Sequence, residues 1–138
     1  MTPRWWHGRA AELLAIAGES SPQYVIDGAT VDLQARRLVG LRSLDRALYS
    51  IKANPHPGVL KRVVRAGMGL ECVSLAELDH VRQVLPDLPA ERVLFTPNFA
   101  PRGEYAEALA RGHHLCIDGL HPLDHWPDLF TDQELFLR

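Results

Sequence analysis

Two hydrophobic rhythms alternate along the chain. Short β-type runs of three or four residues are separated by stretches of about ten residues with apolar positions at helical spacing. The runs are Leu48-Tyr-Ser-Ile51, Leu70-Glu-Cys-Val73, Val93-Leu-Phe95, Leu115-Cys-Ile117 and Leu135-Phe-Leu137. Their starts lie 22, 23, 22 and 20 residues apart. Three intervals predict helices. The first covers 58–66, with Val59, Leu60, Val63 and Val64 on one face and Gly67 as its stop. The second covers 75–85 and is closed by Pro86, and the third covers 101–111, between Pro101 and Gly112. The fourth interval, 122–129, is interrupted by proline and predicts a weaker helix. Before this beat the pattern predicts a short helix over 9–17, a strand over 24–27 and a helix over 30–42.

Strand and helix repeated every twenty-odd residues imply parallel strands joined by right-handed crossovers. Two α/β architectures satisfy that pattern. One is a doubly wound five-stranded sheet. The other is a partial (β/α)8 TIM barrel of about five strands, since a whole barrel takes about 250 residues. Ser20-Ser21-Pro22 is the one soft joint. It divides a helical lead-in, 1–21, from a βα region, 22–138.

Composition narrows the function classes. With 46% hydrophobic and 23% charged residues the chain reads as an ordinary soluble globular protein, not a disordered one. Fifteen Lys+Arg against 17 Asp+Glu give a net charge of −2, and no basic patch stands out as a nucleic-acid footprint. No apolar run approaches the roughly 18 residues of a membrane helix. The start, Met1-Thr-Pro-Arg-Trp-Trp-His, lacks the order of a secretory signal. Cys72 and Cys116 lie inside strand runs, so we expect buried free thiols and a reducing, cytoplasmic compartment.

In parallel βα folds the chemistry gathers at the C-terminal ends of the strands. Those ends are Lys52-Ala-Asn54-Pro-His56, Ser74 to Glu77, Thr96-Pro-Asn98, Asp118-Gly119 and Arg138. Lys52 ends a strand that barrel closure would bury. A buried ammonium loses its proton readily and becomes a nucleophile toward carbonyl groups. The bland alternative is a strand-capping lysine whose amine snorkels to water. Ser74-Leu-Ala-Glu77 fits a capping box, with Glu77 reaching back to the Ser74 amide. His121 with His125, and His113-His114, lack the pattern of a metal site, so no metal is expected. His56 reads as loop packing, and Trp5-Trp6 as an anchor for the first helix.

Tyr49-Ser-Ile-Lys52-Ala-Asn54 resembles the Tyr-x-x-Lys-Ala-Asn signature of the fold-type III pyridoxal-phosphate enzymes. Gly69-Leu-Glu71-Cys-Val-Ser74-Leu-Ala-Glu77 is similar to that family's Phe-Asp-x-x-Ser-x-x-Glu segment. Glu71 and Glu77 follow Lys52 at spacings of 19 and 25, as in the decarboxylase branch. Val93-Leu-Phe-Thr96 and Cys116-Ile-Asp118 resemble its third and fourth barrel strands. The resemblance covers roughly 22–138. It implies an alanine racemase-like N-terminal barrel in which Lys52 bonds pyridoxal 5′-phosphate. Asn54, Glu71, Glu77 and Arg138 would stand around the cofactor. Position 71 departs from the pattern, carrying Glu where the family commonly has Asp.

Within the family the resemblance is strongest to decarboxylases of basic or diamino acids, diaminopimelate decarboxylase first, with ornithine and arginine decarboxylases sharing the same motifs. Thr96-Pro-Asn-Phe-Ala-Pro-Arg102 and Leu120-His-Pro-Leu with Trp126 look most like a decarboxylase fused to aspartate kinase in lysine biosynthesis. The expected partners are a small amino-acid substrate and a second copy of the whole protein, without nucleic acid or membrane. Several elements of the family match no segment here. These are a ring-stacking histidine, a glycine-rich phosphate loop, a Glu-Pro-Gly segment and a C-terminal β domain. The 138 residues are therefore expected to be an N-terminal portion with little turnover alone. Two other readings remain at this point, a non-enzymatic pyridoxal-phosphate-binding barrel and an unrelated doubly wound binding domain.

Overall fold

The computed structural model describes residues 4–18, 20 and 22–138. Met1 to Pro3 of the start, and Ser21 of the joint, lie outside the described residues. Helix α1 covers Ala10–Ala17. Helix α2 covers Gly28–Val39 and begins where the Asp27 carboxylate accepts from the Thr30 amide at 2.8 Å. The beat follows as β1 (Leu48–Ser50), α3 (Pro57–Arg65), β2 (Gly69–Cys72), α4 (Leu75–Val84), β3 (Val93–Phe95), α5 (Arg102–Ala110) and β4 (His114–Ile117). The fourth interval holds two short helices, α6 (His121–His125) and α7 (Pro127–Phe130), broken where Pro127 cannot continue the first. Strand β5 is Leu135–Leu137.

All five strands are parallel, and their spatial order is the chain order, β1-β2-β3-β4-β5. That order removes the doubly wound alternative, which reverses direction at its first strand. A singly wound sheet with uniform crossovers stacks its helices on one face and leaves the other as the wall of a barrel. The register separates the two faces. Tyr49, Leu70 and Val93 stand in one row, and Cys72, Phe95, Leu115 and Leu135 in another, all on the helix side. There Leu70, Cys72, Phe95 and Leu115 are fully buried, together with Leu60 of α3 and Tyr105 of α5. Each of the leucine and phenylalanine side chains contributes about 1.5–3 kcal/mol through removal from water.

Two glycines are needed where they stand. Gly67 has φ +105°, a left-handed turn out of α3 that L side chains rarely adopt. Gly69 opens β2 so close to the next connection that a Cβ would lie 2.6 Å from the Arg92 carbonyl oxygen.

The expected strand over 24–27 is not formed. This segment forms no regular element, and Tyr24 is fully exposed. Its sequence is β-prone, but among the described residues no strand offers it a ladder, and a strand exists only by pairing. Lys52 also departs from expectation. It lies in a 3-10 turn, Ile51–Ala53, two residues past the end of β1, and it is exposed. Strand β1 is an edge of the sheet and no described element covers its end, so the amine keeps its water.

Candidate functional site

The inner face of the sheet carries the second set of side chains, offset by one residue from the core set. Ser50 stands in register with Glu71, Glu71 with Leu94, and Leu94 with His114. Cys116 pairs with Phe136 one row higher. Thr96 follows β3, its amide donating to the Cys72 carbonyl at 2.8 Å and prolonging the β2–β3 ladder. Asp118 and Arg138 follow β4 and β5. The Arg138 amide donates to the Ile117 carbonyl at 3.0 Å, which fixes the strand end beside Asp118. A layer that would be apolar in a plain core is thus largely polar.

These groups interact. The Thr96 hydroxyl donates to the Glu71 carboxylate. The Arg138 guanidinium donates to Asn98 Oδ1 at 2.7 Å and lies 3.8 Å from Asp118 Oδ2. Burial pushes the Cys116 thiol up; Arg138 opposes that shift, while Asp118 and Glu71 add to it, so all four groups share one neighbourhood. His114 meets the Phe136 ring edge to face at 5.8 Å. Two polar atoms of this face, Ser50 Oγ and His114 Nε2, are buried without a hydrogen-bond partner.

The five predicted site residues divide. Glu71 and Arg138 stand on the inner face, and Lys52 lies exposed at the end of β1. Asn54 holds its own turn, its Oδ1 accepting from the His56 amide at 2.9 Å. His56 in turn caps α3, its Nδ1 accepting from the Gly58 amide at 3.0 Å. Glu77 caps α4 as foreseen, with one change. Its carboxylate accepts from the Val73 amide at 2.7 Å, not from Ser74, while Ser74 Oγ accepts from the Glu77 amide at 3.3 Å. Ser50, Thr96, His114, Cys116 and Asp118 were absent from the predicted site. For Ser50, His114 and Cys116 the signal was the two-residue alternation along each strand, which sets them opposite the core residues, while Thr96 and Asp118 stand at strand ends already named from the sequence.

This inner face fits pyridoxal phosphate in kind. It offers two carboxylates, a guanidinium and two buried polar atoms in need of a partner, and Lys52 at the end of β1 adds an accessible primary amine.

The comparisons with known proteins agree with that chemistry. The model of the pyridoxal binding domain of pyridoxal-dependent decarboxylases matches residues 33–138. Diaminopimelate decarboxylase of Deinococcus radiodurans is 33% identical over 98 residues, 71% of this chain and 25% of that protein. Antizyme inhibitor 2 of Homo sapiens is 35% identical over 49 residues, 36% of this chain and 10% of that protein. Among solved structures, lysine/ornithine decarboxylase from Vibrio vulnificus, complexed with putrescine, superposes with a TM-score of 0.77 at 23% identity. The match covers 95% of this chain and 36% of that one, and at such identity it speaks for the fold. The chain thus spans about a third or less of each of these proteins.

Proposed function

The chain belongs to the pyridoxal-dependent decarboxylases, through their pyridoxal binding domain, and on that premise we propose that its native polypeptide decarboxylates a basic or diamino amino acid. Meso-diaminopimelate is the first substrate to test, giving L-lysine and CO2 in lysine biosynthesis. The 33% identity to a diaminopimelate decarboxylase supports it, with ornithine and arginine as the alternatives. A fusion to aspartate kinase, a homodimer and a cytoplasmic setting belong to the same proposal.

The observation that carries the reading is the polar inner face at the C-terminal ends of the strands. Lys52 would bond the cofactor's aldehyde. Glu71 and Arg138 would set the charge around the ring, and Ser50 and His114 would donate to or accept from bound groups. Asn54 and Glu77 would act by holding the β1 and β2 ends in place. When bound, pyridoxal phosphate supplies the electron sink for the carbanion left by departing CO2. The inner face would then orient the scissile carboxylate and keep water from the reacting carbon.

A second reading, binding of pyridoxal phosphate without decarboxylation, is favoured by the exposure of Lys52. Borohydride reduction followed by peptide mass spectrometry tests the attachment. The expected result is a pyridoxyl adduct on Lys52, lost in Lys52→Ala. Absence of an adduct in the native polypeptide refutes both readings. CO2 release from diaminopimelate, ornithine and arginine then separates turnover from binding.

A further inference from the structure

We propose that Thr96 is a positioning residue that fixes the carboxylate of Glu71 on the inner face; the inference rests on the reading of Glu71 given above. Three observations converge. First, the Thr96 hydroxyl donates directly to a Glu71 carboxylate oxygen across the β2–β3 boundary. Second, Thr96 is only 7% exposed, so water competes little for that bond. Third, its backbone is pinned, the amide donating to the Cys72 carbonyl at 2.8 Å, and buried Pro97 follows it.

The chemistry of the pair is one-sided. A threonine side chain is β-branched and has few χ1 choices, so a fixed backbone fixes the hydroxyl. A glutamate has three rotatable bonds and, unheld, samples many positions. The Cys72 carbonyl lies 3.5 Å from the Thr96 hydroxyl and already receives the Thr96 amide. The carboxylate is the stronger acceptor for the one hydroxyl proton. Thr96 therefore converts a long acidic side chain into one with a defined end point. Glu71 stands in register with Ser50, whose strand leads into the Lys52 turn. The same carboxylate is felt at Cys116, on the other side of β3. A carboxylate free to swing between those neighbours would lose its orientation toward a cofactor on Lys52.

The test uses the native polypeptide loaded with pyridoxal phosphate. The variants are Thr96→Val, Thr96→Ser, Glu71→Asp and the double variant Glu71→Asp/Thr96→Val. The readouts are the pH at which the cofactor's visible band changes, and kcat and KM separately. Removing the hydroxyl is expected to move the spectral midpoint and to lower kcat about tenfold, with KM within about twofold. Thr96→Ser should restore both readouts. Glu71→Asp, whose shorter carboxylate falls short of the hydroxyl, should show the same spectral change even if Thr96→Val fails to fold. In the Glu71→Asp background the loss of the hydroxyl should then have no further effect. Unchanged midpoint and kcat in Thr96→Val, or an equal effect of that change in both Glu71 backgrounds, overturns the proposal. Failure of the parent reading is seen separately, as absence of a pyridoxyl adduct on Lys52 in the unsubstituted protein.

Discussion

Cys72 is the most strongly perturbed thiol described. It is fully buried on the helix side of β2, and burial pushes its pKa up to about 12, with Glu77 and then Glu71 adding to the shift. The folded protein therefore holds this proton more tightly than the unfolded chain does. The resulting stability is complete below the ordinary thiol value of 9.0 and is lost as pH rises from there toward about 12. Thermal melts of the wild type should fall steeply over that window, and those of Cys72→Ala should fall less. Iodoacetamide should leave Cys72 untouched at pH 8 until denaturant is added. Single residues also mark where the sequence misled. Lys52 carries the family motif, but burial of its amine depends on neighbours from outside its own strand, and no local pattern encodes them. The Glu71–Thr96 bond was hidden for a related reason. The two residues lie 25 apart in sequence, and only the strand register brings them together.

Elements were more legible because the forces that form them are local. Glycine and proline stops put the ends of α3, α4 and α5 within a residue of their observed places, α2 ends three residues before its apolar pattern predicted, and the apolar runs marked all five strands. The segment over 24–27 failed because pairing, unlike helix formation, is not local. Caps at element ends give sharp tests. Ser74→Ala should cost about 1 kcal/mol in chemical denaturation, through loss of the first-turn bond of α4. Glu77→Gln retains an oxygen for the Val73 amide and should stay near wild-type stability, whereas Glu77→Ala should lose about as much as Ser74→Ala. If Glu77 acts toward the cofactor by charge, the Gln variant will be stable and yet impaired. At the start of β2, Gly69→Ala forces a methyl group against the Arg92 carbonyl and the Leu48 side chain. It should cost about 1–3 kcal/mol, read as a shifted urea midpoint.

At the scale of the whole molecule, the alternation of strand and helix predicted parallel βα units. It could not choose between two sheets, because periodicity carries no information on strand order. The observed order decides it. The order also leaves β1 and β5 as edges, with Leu48, Phe136 and Leu137 at 38%, 41% and 70% exposed. Exposed apolar strand edges pair with other chains, and a net charge of −2 opposes this only weakly. The 138 residues produced alone should therefore self-associate. Sedimentation velocity should show mass rising with concentration, and Leu137→Lys should reduce that trend.

The coincidence of spatial order with chain order also shapes how the molecule is built. Each strand joins one laid down about twenty residues earlier, so loop closure is cheap at every step and no strand waits for a distant mate. Assembly can run as a one-dimensional zipper from the amino end, each unit templating the next as it leaves the ribosome. Damage should spread the same way. A defect in β2 deprives the strands on both sides of a template, whereas one in β5 leaves the four before it intact.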